Sequence, residues 1–373
     1  MAKVAGLVAG VVVLGVASMP QNARAVDLCG VTPPTQQTAL ARPVPLGISG
    51  GNIHSIIRTK KEKGCFSGTL GSMVKDASDN LYILSNNHVL ADQNKAKPGQ
   101  LIVQPGLVDV QCVKSSSNAV ATFSRSVRLK FMGGINKVDA AIAAVEAGQV
   151  SPEILFIGET AGSVLSDPTF GTPVQKMGRT TCVTTGQIAG LNANVKVNYS
   201  DKKKPKIAKF VDQILISGSS KTPIFSAPGD SGSLILTQGA CPQPVALLFA
   251  AFSNGFTIAN PISTVLTALN VSMVGSCTPV LRADTASPDI LAGDMGLSKE
   301  AVASATSVRD RHEDDLMSVP GAVGTGIGAG DQPGQTAIEI YVKTLTPEAE
   351  AAAPEEVEGV PVKLIESGEA VAY

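Results

Sequence analysis

From residue 68 onward the chain is a succession of short apolar runs of strand length, at 68–74, 81–84, 101–104, 119–123 and 140–145, each bounded by Gly, Pro, Asn or Asp. A second set follows at 173–177, 186–192, 213–217, 233–236, 245–251 and 257–259. Strand-length runs with turn residues at this spacing predict a mainly β, barrel-type protein. Asn260 and Pro261 then predict a helix to about Leu269, with the asparagine as cap and the proline in its first turn. Beyond residue 283 the pattern changes. Ser298 predicts the cap of a helix to about Leu316. Strands are expected at 323–327, 337–343 and 360–365, and a short helix at 347–352, which together make a small C-terminal α+β module. The glycine-rich stretch Gly324–Gly330 lacks the Gly-Lys-Ser/Thr ending and strand–loop–helix setting of a phosphate loop, and reads as a hairpin connection.

The first residues follow another pattern. Lys3 precedes an apolar stretch from Val4 to Met19, and Ala23-Arg24-Ala25 fits a small-x-small cleavage site, so residues 1–25 read as a secretory signal peptide. The stretch is shorter than the roughly 20 residues a spanning helix wants, so no membrane span is expected after signal removal. Cys29 lacks a small residue just before it, which argues against lipoprotein processing. A secreted or periplasmic protein is expected, with domains at 26–43 (a Pro- and Thr-rich strap), 44–150, 151–279 and 283–373. Six cysteines, Cys29, Cys65, Cys112, Cys182, Cys241 and Cys277, allow 15 pairings. Three precede residue 150 and three follow it, so if all pair at least one bridge joins the halves; Cys29 is the expected donor of that bridge. No Cys-x-x-Cys pair occurs, so no structural zinc, and no other metal or cofactor, is expected. A net charge of −1 and the absence of tryptophan offer neither an electrostatic footprint nor a stacking platform for nucleic acid.

Candidate chemistry centres on Ser231 in Pro228-Gly229-Asp230-Ser231-Gly232-Ser233. The glycines allow a tight turn that aims the amides of Gly229 and Ser231 at one point, as an oxyanion requires. A serine hydroxyl needs a base. Of three histidines, His88 is the candidate: it closes a β-like run, whereas His312 lies in a charged helix and His54 fits no triad order with Ser231 as well. Asp139 outranks Asp109 and Asp92 as the acid, because it opens an apolar run that fixes it at the inner end of a strand. In this reading His88 takes the Ser231 proton and Asp139 orients the imidazole. An α/β-hydrolase is disfavoured, since Ser233 stands where its elbow needs glycine and its residue order would require His312.

The order His88, Asp139, Ser231 resembles that of the chymotrypsin-like serine peptidases over roughly residues 44–275. Residues 178–186, with Thr184-Thr185-Gly186, are similar to the segment that opens the second barrel of bacterial streptogrisin-like members. Ser67–Gly71, 84–88 and 229–233 together resemble a further group of trypsin-fold proteins. Cys182 stands where those patterns have glycine, and no Ile-Val-Gly-type activation site precedes the first barrel. The resemblance implies two six-stranded antiparallel β-barrels with the triad between them. It also implies an Arg179–Asp230 ion pair that holds the oxyanion loop without zymogen cleavage, and a substrate pocket with Phe225 near its floor and Phe249, Ala250, Ala251 and Gly255 in its walls. With neither an acid nor a histidine at that floor, a small or medium apolar side chain is the expected preference. The function implied is an exported serine endopeptidase acting on protein or peptide through an acyl-enzyme. The alternative is an inactive trypsin-fold binding protein of the envelope or extracellular space. Inhibition, substrate binding, envelope binding and stabilisation all stay open for the C-terminal module, as does the oligomeric state.

Overall fold

The computed structural model describes residues 34–58, 63–200, 205–279 and 297–373. The expected signal peptide, Cys29 and Lys202–Lys204 lie outside them. Two curled sheets dominate, consistent with the expected double barrel. In the first, Leu81–Ser85, Ala141–Ala144, Ala119–Ser126, Leu101–Val103 and Ile48–Asn52 pair in that order. The run expected at 68–74 splits at Gly71: Gly68–Leu70 pairs with Ile48–Asn52, and Ser72–Lys75 pairs with Leu81–Ser85. One continuous stretch thus joins both ends of the sheet and closes it.

The second ring is Pro173–Gly178, Cys182–Asn198, Ile207–Gly218, Thr257–Pro261, Pro244–Phe252 and Leu234–Thr237, each hydrogen-bonded to the next and the last to the first. Pro244–Phe252 is buried along its whole length, as its unbroken apolar sequence requires. A shared apolar core containing Leu84, Ile142, Val89, Leu234 and Leu247 crosses from one barrel to the other. The expected strands at 186–192 and 213–217 are the inner parts of a far longer hairpin, 182–198 with 207–218. Its outer half, with Ala193, Val195 and Val197 at alternate positions, lay beyond the expected strands.

That hairpin carries the C-terminal module. Ala322–Ala329 adds antiparallel to Cys182–Asn198, and Thr336–Val342 and Val360–Glu366 continue the same sheet. Helix Lys299–Arg311 packs behind it, with Ser298 accepting from Ala301 N as a cap. Gly324–Gly330 is therefore mostly strand, not a hairpin connection. A Cβ at Gly326 would sit 2.5 Å from the Tyr341 hydroxyl, and one at Gly324 2.5 Å from Asn194 O, so glycine here is what lets neighbouring chains lie close. The buried Arg309 guanidinium donates to Asn192 O at 2.6 Å and anchors the module on the barrel hairpin.

Cys65–Cys112 and Cys241–Cys277 are disulfides, and Cys182 is disulfide-bonded as well. Cys182 adopts φ 58°, the left-handed backbone that explains why glycine is the usual residue there. The Cys65–Cys112 bridge closes a loop with a sequence separation of 47. By loop entropy, replacing both cysteines with serine should cost about 4 kcal/mol, read as a lower urea midpoint, with an m-value that rises as the unfolded chain expands. A midpoint equal to the parent's would show that the bridge does not constrain the unfolded chain.

Candidate active site

The strand expected to end on His88 ends at Ser85, and the chain turns into the short helix Asn87–Leu90. His88 thereby faces the gap between the barrels. Its Nδ1 lies 2.6 Å from Asp139 Oδ2, and its backbone N–H donates to Asp139 Oδ1 at 3.2 Å. Since Nδ1–H donates to the carboxylate, Nε2 is the nitrogen left to exchange a proton.

Asp139 is completely buried. A buried charge needs partners on all sides, and the fold brings them from distant segments. Tyr199, at the outer end of the long hairpin, donates its hydroxyl to Asp139 Oδ2 at 2.7 Å. Burial, and then Asp139 itself, push the Tyr199 phenol well above its ordinary value, so it stays a donor. The Asp139 backbone is held too: its N–H donates to Asn260 Oδ1 at 2.9 Å, and its carbonyl accepts from Asn86 Nδ2 at 2.7 Å. Asn260 was expected to cap the following helix. That helix, Ile262–Leu269, has no side-chain cap, and Asn260 instead bridges Asp139 to Gln213. The rival acids are engaged elsewhere, Asp92 with Lys95 and Asp109 with Arg179.

Ser231 lies on the turn between residues 228 and 233, buried, with Oγ donating to Phe249 O at 3.0 Å. Thr69 of the first barrel grips this turn by its N–H to Ser231 O (2.8 Å) and its hydroxyl to Gly229 O (3.0 Å). Gly229 and Gly232 have φ of 103° and 95°, and a Cβ on Gly232 would stand 2.2 Å from Thr69 O. The turn therefore requires glycine at both positions.

The expected Arg179–Asp230 ion pair does not form. Arg179 lies at the rim, where its guanidinium takes both oxygens of Asp109. Asp230 points inward, and the cation beside it is Lys176, at 3.5 Å with both side chains fully buried. Lys176 was not singled out from sequence because a lone lysine in a strand reads as solvent-facing. Asp230 also accepts from the N–H groups of Thr180, Thr181 and Ala227 and from the Thr181 hydroxyl. Burial pulls the Lys176 ammonium below its ordinary value, and Asp230 works against that. Arg179 still touches the site: a Cβ on Gly229 would lie 2.7 Å from its Nη1.

The expected pocket residues divide. Phe225 is buried in an apolar cluster with Val174, Ile188, Ile216 and Leu248. Phe249 and Ala250 instead pack into the opposite cluster, where the Phe249 and Phe210 rings are 4.6 Å apart. At Phe249 it is the carbonyl that faces the site. Ala251 is buried on the same strand, and Gly255 sits in the open turn beyond it.

One segment at the site was not anticipated. Ala370–Ala372 lies between Cys182–Asn198 and Pro244–Phe252, pairing with both. It brings Tyr373 O to 2.7 Å from His88 Nε2.

A family model described as peptidase family S64 matches residues 52–260, more than half of the chain. The chain belongs to peptidase family S64, and with its two closed barrels it is a trypsin/chymotrypsin-fold peptidase, whose substrates are proteins or peptides. A comparison with curated proteins finds no match. Among solved structures it is similar to Thermobifida fusca protease A at 14% identity and TM-score 0.42, over 62% of this chain and 99% of that one. It is also similar to a glutamic-acid-specific serine protease that utilizes a histidine triad in substrate binding (18%, TM-score 0.41, 62% and 100%). A third similar structure is Nocardiopsis protease (18%, TM-score 0.39, 56% and 93%).

Replacing Lys176 with Met leaves the buried Asp230 charge without its cation and should cost about 3–5 kcal/mol. Arg179→Met, at a pair nearer solvent, should cost less. Urea unfolding of both variants checks the ranking. The reverse order would return the supporting role to Arg179.

Proposed function

We propose that this chain is an exported serine endopeptidase in which His88, Asp139 and Ser231 act as the catalytic triad. The observation that carries the reading is the fully buried Asp139, aligned on His88 Nδ1 at 2.6 Å while His88 Nε2 faces the cleft beside Ser231. A buried carboxylate of this kind fixes the imidazole tautomer and stabilises the imidazolium that forms when the serine is deprotonated. Ser231 Oγ attacks the peptide carbonyl, and the amides of Gly229 and Ser231 receive the oxyanion. His88 passes the proton to the leaving amine, and water then hydrolyses the acyl-enzyme with His88 again as base. Lys176 and Asp230 support the oxyanion turn from beneath, and Phe225 lies at the floor of the pocket. The disulfides support an oxidising, extracytoplasmic location. We take the C-terminal module as the regulator of the peptidase.

The inactive binding protein is the competing reading, and covalent chemistry separates the two. A fluorophosphonate probe accumulates irreversibly, so prolonged incubation registers even a site that opens only transiently. The full chain should become labelled at Ser231, located by mass spectrometry, with labelling lost in Ser231→Ala and His88→Ala. A chain that stays unlabelled, both as it stands and when ended at Gly368, would favour the binding protein.

Tyr199→Phe removes one donor from a buried carboxylate, a hydrogen bond to charge of about 1.5–3 kcal/mol. It should lower kcat by roughly ten- to a hundredfold with little change in KM. Unchanged kcat would show that the phenol does not act through Asp139.

A further inference from the structure

Residues Ala370–Tyr373 lie against the site as a peptide would. Ala370, Val371 and Ala372 run antiparallel to Phe252, Ala251 and Ala250, and Tyr373 N–H points at Phe249 O at 3.4 Å. The same carbonyl accepts from Ser231 Oγ at 3.0 Å, so the Tyr373 amide and the serine hydroxyl share one acceptor. Tyr373 O lies 2.7 Å from His88 Nε2, the nitrogen that must receive the serine proton. Among the described residues, no hydrogen bond joins Ser231 to His88; each is engaged by another partner.

Side chains alternate as a strand demands. Ala370 and Ala372 face the cluster of Phe249, Phe252 and Tyr341, and Tyr373 packs into the opposite cluster with Phe225. The Tyr373 phenol reaches Ser226, with Asp230 and Lys176 behind. Burial pushes it up to about 12, against the pull of the Ser226 hydroxyl. The pocket is thus an apolar barrel with a polar end, matched to a ring bearing one neutral hydroxyl.

We propose that Ala370–Tyr373 is a cis-acting plug bound in the orientation of a substrate's acyl side, so that the enzyme is latent while the plug is seated. Its substrates are then peptides with tyrosine or phenylalanine before the scissile bond and small residues ahead of it. This replaces the small or medium apolar preference expected from sequence, and it rests on the serine peptidase reading for the meaning of the cleft. Orientation separates the plug from mere edge covering. Any strand can pair with an open edge, but a substrate's acyl side must also present an amide to the Phe249 carbonyl, place a side chain in the Phe225 pocket and set its carbonyl group beside His88. One residue, Tyr373, does all three. Only Ser367, Gly368 and Glu369 separate the plug from the module strand Val360–Glu366, and Ser253 and Asn254 hold that connection by bonds to Glu369 O, Glu366 O and Ser367 O. So short a tether gives a high effective concentration.

The test is anisotropy of a fluorescent peptide ending in Ala-Val-Ala-Tyr, with Ala-Val-Ala-Glu and Ala-Val-Ala-Lys as controls, titrated into the 373-residue chain, its Tyr373→Asp variant and a chain ended at Gly368. The single substitution serves if the shortened chain does not fold. We expect the tyrosine peptide to bind Tyr373→Asp at least about tenfold tighter than the parent chain, and at least about tenfold tighter than either control. Fluorophosphonate labelling of Ser231 should accelerate in parallel. Equal affinity for parent and variant would overturn the plug, and binding without preference for tyrosine would overturn its substrate-like seating. Plug-dependent peptide binding without any labelling would leave the plug standing and sink the peptidase reading instead.

Discussion

The structure turns on one carboxylate shut off from the solvent surface. Asp139 sits at the seam of the two barrels with no exposed surface, and a lone buried charge is among the costliest things a fold can contain. It persists because segments far apart in sequence converge on it and satisfy both its carboxylate and its backbone. His88 comes from the first barrel and Tyr199 from the outer end of the long hairpin, while Asn260, at the end of the last barrel strand and steadied by Gln213, accepts from the Asp139 backbone N–H. Satisfying Asp139 therefore fixes the position of both barrels and the hairpin together, and the imidazole is oriented as a consequence. A site assembled this way resists small displacements, because moving any one element strands a charge.

Asp230 repeats the logic on a smaller scale beneath the Ser231 turn. It accepts from three backbone N–H groups and one hydroxyl, with Lys176 beside it. These donors converge only when the turn of residues 228–233 and the 180–181 corner hold their observed conformation. The geometry of Gly229 and Ser231 is thus enforced from below by a charge, and from the side by Thr69.

Much of this was legible because it is local. Gly229-Asp230-Ser231-Gly232 announces a tight turn through its glycines, and short apolar runs between turn residues announce β-structure. The split at Gly71 and the closure of each ring are consistent with six-stranded barrels. What escaped reading is what long-range contact decides. Tyr199 continues the alternation of Ala193, Val195 and Val197, which marks it as inward-facing, but nothing near it in sequence marks it as the partner of Asp139, 60 residues away. Asn260 before Pro261 is a sound helix-cap signal, overridden because a buried backbone N–H needed its side-chain oxygen. Arg179 was the ion that the family resemblance implied for Asp230; burial reversed the choice, since the inward-facing lysine reaches a carboxylate that the rim arginine does not. Phe249 was placed as a pocket wall, but the strand's alternation sends its ring to Phe210 and leaves its carbonyl to the site.

The long hairpin links these observations. Its one end carries Cys182 beside the Asp230 corner, and its other end carries Tyr199 against Asp139. Along its length it holds the module strand Ala322–Ala329 and the segment Ala370–Ala372. A free peptide of four residues must meet the cost of its own ordering from its few contacts, so it binds less tightly than the same segment tethered to the module. Here that cost is already met by folding of the module, because the strand Val360–Glu366 delivers the segment with its direction set. Seating of Ala370–Tyr373 is then a property of sheet register. A slip of one residue would exchange the faces of Ala372 and Tyr373, put an alanine in the Phe225 pocket and turn the ring toward Phe252. The register that satisfies the hairpin backbone is the same one that brings Tyr373 O to His88, so docking of the module and occupation of the cleft are one structural event.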